Sequence, residues 1–161
     1  MTYSEPVRFD WDRPISHSVS HSDLVNAAKA QFSNDNNILI EKYKLKIGIN
    51  IQKECIFDLG NEEILIFCKC NSWKNGNFVP KNVFHSWNEA MYYFHLTPKK
   101  YQKIFYVKMD YSQKYCETLL EYYIRNNFHF IPDDVTLYDY YGNNNAGKYT
   151  YDTIKKIFGE Q

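Results

Sequence analysis

Phe84-His85-Ser86-Trp87-Asn88-Glu89-Ala90-Met91-Tyr92-Tyr93-Phe94-His95, a Thr97-Pro98 break, and then Ile104-Phe105-Tyr106-Val107-Lys108-Met109 form the stretch that decides the fold. Ser86 followed three residues later by Glu89 has the form of a capping box, which predicts that a helix opens there. Trp87, Ala90, Met91 and Phe94 fall at i, i+3, i+4 and i+7 and give that helix one apolar stripe. Pro98 cannot continue a helix and biases Thr97 away from helical angles, so the helix ends before it. Residues 104–109 are too few for a helix, rich in aromatic and β-branched side chains, and nearly all apolar. They read as a central strand covered on both faces.

On the N-terminal side, Tyr43, Leu45, Ile47, Ile49 and Ile51 alternate with Lys44, Lys46, Gly48, Asn50 and Gln52, the period of a half-buried strand. A hairpin turn is expected at Asp58-Leu59-Gly60-Asn61-Glu62 and another turn at Lys74-Asn75-Gly76-Asn77. Farther back, Ser22 and Asp23 open a helix with Leu24, Ala27, Ala28, Gln31 and Phe32 on one side. Residues 1–21, with Pro6, Pro14 and a Ser/His run, read as an irregular arm for which Phe9 and Trp11 are apolar anchors. On the C-terminal side, Ser112 is placed as the cap of a helix running to about Asn126, striped by Cys116, Leu119, Leu120, Tyr123 and Ile124. Residues 128–131 and 135–138 read as extended, 142–147 as a flexible link, and Thr150 as the cap of a last short helix. The whole is one α+β domain over residues 22–161: a mixed, mostly antiparallel sheet packed by three to four short helices.

Composition narrows the function classes. Lys+Arg and Asp+Glu both number 19 in 161 residues, so the net charge is zero. That removes the electrostatic argument for a nucleic-acid partner. No apolar run approaches the ~20 residues that span a bilayer, and the first residues have no signal-peptide pattern. The four cysteines are therefore expected as reduced thiols in a cytoplasmic protein without a membrane partner. Arg8, Arg13 and Arg125 are the only arginines, lysine and asparagine abound, and the codon bias this implies points to an AT-rich genome, such as a low-GC bacterium, a phage or a large DNA virus.

Cys68-Lys69-Cys70 with Cys55 and His85 offers four ligands of the zinc type, but a C-x-C on a strand does not wrap an ion. His17 and His21 would share a face only if the arm were helical. No metal and no cofactor is expected. His95-Leu96-Thr97 resembles the His-x-Thr element of two-histidine phosphoesterases, which need two such elements; His129-Phe130-Ile131 lacks the hydroxyl. The order of helix and then buried strand is similar to the middle of small ADP-ribosyltransferase-like domains. That resemblance implies a nicotinamide pocket and a late glutamate, where this chain carries Asp133, Asp134 and Asp139. The chain has no Gly-rich phosphate loop, G-x-S-x-G or C-x-x-C.

The first functional expectation is a non-enzymatic protein-binding module: an inhibitor, an immunity-type protein or a phage or viral host-interaction factor. Its partner-binding face is assigned to Tyr92, Tyr93, Tyr122, Tyr138, Tyr140 and Tyr141, since tyrosine offers a large rigid contact with a polar tip. A second copy of the chain is a further candidate partner. The alternative is a small enzyme acting on a nucleotide or nucleic-acid-derived ligand. Its catalytic groups would come from His85, His95, His129, Asp133 and Asp134.

Overall fold

The computed structural model describes residues 19–36 and 38–159. In chain order these form α1 (His21–Asn36), β1 (Glu41–Ile47), β2 (Lys53–Gly60), β3 (Ile64–Lys69), α2 (Lys81–His95) and β4 (Gln102–Lys108). There follow the short β5 (Tyr111–Ser112) and β6 (Glu117–Thr118), α3 (Leu119–Asn127) and a 3-10 turn (Phe128–Phe130). Next come β7 (Val135–Gly142), β8 (Asn145–Tyr149) and α4 (Tyr151–Ile154), which runs into a π-helical turn (Lys155–Gly159). The main sheet has the order β1-β2-β3-β4-β7-β8. Its β3–β4 and β4–β7 pairs are parallel, and the other three are antiparallel. This is the mixed α+β architecture expected. No helix among the described residues is long and apolar enough to cross a membrane.

The two parallel crossovers step across the sheet in the same direction, so their shared right-handedness puts α2 and α3 on one face. Burial follows that geometry. Phe105 and Val107 pack in one cluster with Trp87, Phe94 and Tyr123, while Ile104 and Tyr106 pack in a second with Leu24, Ala28 and Phe32 of α1. β4 is buried from Lys103 to Lys108, as a strand between two helical layers must be.

Several local expectations are corrected. α2 opens at Lys81 behind Pro80, with no side-chain cap, so Ser86 lies inside the helix and its Oγ accepts from Lys69 Nζ at 3.3 Å. The stripe is as expected, with Phe84 added one turn earlier. Ser112 lies in the β5–β6 ribbon, and α3 is opened by a true capping box of Thr118 and Glu121. Cys116, expected on the helix stripe, is exposed in the preceding turn at φ +54°. Residues 128–130 are a 3-10 turn. The supposed link at 142–147 is a tight hairpin, with Asn143 and Asn144 at φ +53° and +61° as a type I′ turn requires. Residues 1–18 of the arm, with Phe9, Trp11 and His17, lie outside the described residues, and His21 already belongs to α1.

The alternating strand also ends early. Gly48 turns the chain at φ +139°, and a Cβ there would meet the Ile51 carbonyl oxygen at 2.6 Å. Ile49 and Ile51 therefore stand in the β1–β2 connection, 81% and 92% exposed. On β2 the register jumps from Tyr43↔Phe57 to Glu41↔Gly60, which places one extra residue in that strand. The bulge turns Phe57 toward the α2 face and Leu59 toward the α1 face, and Asp58 Oδ2 takes the Cys68 N–H at 2.7 Å.

Candidate functional site

Two groupings of side chains have the chemistry of a site. The first is a buried polar network at the N-terminus of α3. Thr118 Oγ1 donates to Asp139 Oδ2 at 2.7 Å and accepts from Glu121 N at 3.0 Å. Glu121 in turn accepts from Thr118 N at 2.8 Å and from the Tyr149 hydroxyl at 3.1 Å. Asp139 is fully buried, and its Oδ1 has no hydrogen-bond partner among the described residues. Burial holds its carboxyl well above the usual carboxylate range; the Thr118 hydrogen bond opposes this, and the charges of Glu121 and Asp110 add to it. Asp110 anchors the loop before α2 by accepting from both Trp73 N and, through its carbonyl, Trp73 Nε1 at 2.8 Å. The network joins α3 to β7 and β8.

The second grouping is on the surface. A cleft of about 540 Å³ lies between the β1–β2 connection and the end of α2, lined by residues that include Ile49, Ile51, Ile56 and Tyr92. Tyr92 is shared with a neighbouring depression of about 270 Å³, whose other walls include His95, His129 and Phe130. His129, Ile131 and Pro132 are shared in turn with a third, about 370 Å³, lined also by Phe128 and Tyr151. Nine large hydrophobic side chains are exposed among the described residues, and all but Leu39 and Phe78 lie on these three adjoining depressions. Isolated exposed apolar residues are ordinary, but a contiguous band of them is characteristic of an interaction surface.

The residues singled out in the sequence divide accordingly. Tyr92 is exposed on the band, and Tyr93 lines its first cleft while packing on Phe67. Tyr122 belongs to an aromatic cluster with Trp73, Phe84 and Tyr115. Tyr138 and Tyr140 are only 7% and 9% exposed, in the core under α1, so they form no surface. They lie on β7, which is covered on both faces, so these two rings are part of the core. Tyr141 is half-buried beside them.

Among the proposed catalytic groups, His95 and His129 are exposed but line the same depression, whereas His85 is exposed elsewhere on α2. Asp134 is committed to the buried Lys103 at 2.6 Å, and Asp133 pairs with Lys99 at 3.6 Å. Thr97, the hydroxyl of the His-x-Thr element, is buried and donates to the Phe94 carbonyl, ending the helix. Cys55 and Cys68 lie on opposite faces of the sheet because of the β2 bulge, and no three His, Cys, Asp or Glu side chains among the described residues gather as metal ligands. The residues missed were Phe128, Phe130 and Ile51. Their signal was hydrophobicity inside segments read as strand.

Comparison with family models, with curated proteins and with solved structures finds no match for the chain.

Proposed function

We propose that the chain is a non-enzymatic protein-binding module that docks a partner on the apolar band from Ile51 through Tyr92 to Phe130 and Phe128. The observation that carries this reading is the gathering of exposed apolar side chains onto one run of depressions. The band replaces most of the tyrosine face expected from the sequence; Tyr92 and Tyr93 stay in it. An inhibitor, an immunity-type protein or a host-interaction factor working in the cytoplasm fits such a surface. A second copy added edge to edge at β1 is opposed by Lys42, Lys44 and Lys46, which stand exposed along that edge. The enzymatic alternative draws less support, because the two histidines that share a depression are both exposed and no carboxylate lines it. A photo-crosslinking residue placed at Tyr92 or Phe130 tests the proposal in extracts of the source cell. Adducts with one protein from both positions, and none from the exposed but off-band Leu39, are expected. Equal labelling from Leu39 removes the assignment.

A further inference from the structure

The 540 Å³ cleft at one end of the band has the size of a small-molecule site, roughly 300–1,000 Å³. Ile47, Cys55, Tyr93 and Leu96 line it from the packed side, and Ile49 and Ile51 form its exposed rim. Its charges offset one another. Lys53, the cross-strand partner of Ile47, faces the cleft, and its ammonium acts on the Cys55 thiol. Glu89, outside the lining, acts on the same thiol with the opposite sign. Glu54 is the carboxylate in the lining, so its charged residues are one lysine and one glutamate. Burial first, and Glu89 after it, push the Cys55 thiol up to about 11, so this sulfur is a neutral, apolar part of the lining at pH 7.

We infer that this cleft binds an uncharged, mainly apolar small molecule, of the size of a ten-carbon alcohol or a substituted aromatic ring. A neutral ligand matches a lining in which one cation and one anion already balance. A charged one would bring an unmatched ion out of water. The exposed isoleucines of the rim would be covered by such a ligand, which supplies the driving force. The inference does not rest on the docking proposal, since it is read on the isolated chain.

Titration with decanol, followed by amide chemical shifts, is expected to give saturable changes at Ile47, Cys55, Tyr93 and Leu96. Decanoate and decylamine are expected to bind at least roughly tenfold more weakly. Leu96→Trp fills the cleft from a half-buried position, and Ile51→Asp places a charge on the exposed rim without touching the core; each is expected to weaken decanol binding roughly tenfold or more. Should Leu96→Trp disturb the fold, Ile51→Asp carries the test alone. Shifts that do not saturate, that scatter over the surface, or that persist unchanged in the folded variants overturn the site. Tighter binding of decanoate or decylamine than of decanol overturns the ligand class.

Discussion

Asp139 and Lys103 are two buried charge-bearing side chains that the fold treats in opposite ways. Lys103 is 2% exposed and pairs with Asp134, with a second hydrogen bond to the Thr97 carbonyl at 3.3 Å. Asp134→Ala leaves that ammonium unpaired and is expected to destabilise by about 3 kcal/mol, whereas the double variant Lys103→Met/Asp134→Ala removes the whole pair and costs about 1 kcal/mol or less. Urea midpoints of the two variants decide this, and equal losses would show that the pair matters only through packing. Asp139 instead holds its proton, its pKa raised above the unfolded value. As pH rises past about 4 the unfolded chain releases this proton while the folded chain keeps it, so this residue lowers stability progressively until it ionises in the fold itself. Asp139→Asn removes that dependence. Its stability relative to the parent is expected to rise from pH 4 to pH 8, as read by denaturant unfolding at each pH; a difference that stays flat would mean that Asp139 is ionised in the folded protein.

At the scale of elements, Gly48 and Thr118 each hold a boundary that sequence periodicity did not locate. Gly48→Ala forces a Cβ against the Ile51 carbonyl oxygen in a left-handed conformation, for an expected loss of about 1–3 kcal/mol. Thermal unfolding checks it, and a neutral result would show that the β1–β2 connection relaxes freely. Thr118→Ala removes both the α3 cap and the donor to Asp139; the cap alone is worth about 1–2 kcal/mol. Thr118→Ser keeps the hydroxyl and is expected to unfold near the parent temperature. The helix stripes of α1 and α2 and the two-sided burial of β4 were legible, because burial imposes a period or a continuous apolar run that survives without tertiary information. Boundaries were less so. Ser86-x-x-Glu89 and Thr118-x-x-Glu121 carry the same capping-box spacing, and only the tertiary position of Pro80 and of the β5–β6 ribbon tells which one opens a helix. The band of exposed apolar residues was invisible for a related reason. Ile49 and Ile51 continue a strand's alternation, and Phe128 and Phe130 read as part of a further strand, until Gly48 and the 3-10 turn put them outside.

For the whole molecule, the sheet serves to bring three remote segments to one side. The β1–β2 connection, the end of α2 and the turn after α3 supply the band. The chain is neutral overall, so its recognition should rest on apolar contact and respond little to salt. The most direct measurement is partner capture by immobilised parent protein and by a Phe128→Asp/Phe130→Asp variant, both checked for unchanged thermal unfolding. These side chains are 40% and 51% exposed, so their replacement should leave the fold intact. The docking account predicts that a protein retained by the parent is lost from the variant by tenfold or more. Equal retention of that protein by both would contradict it.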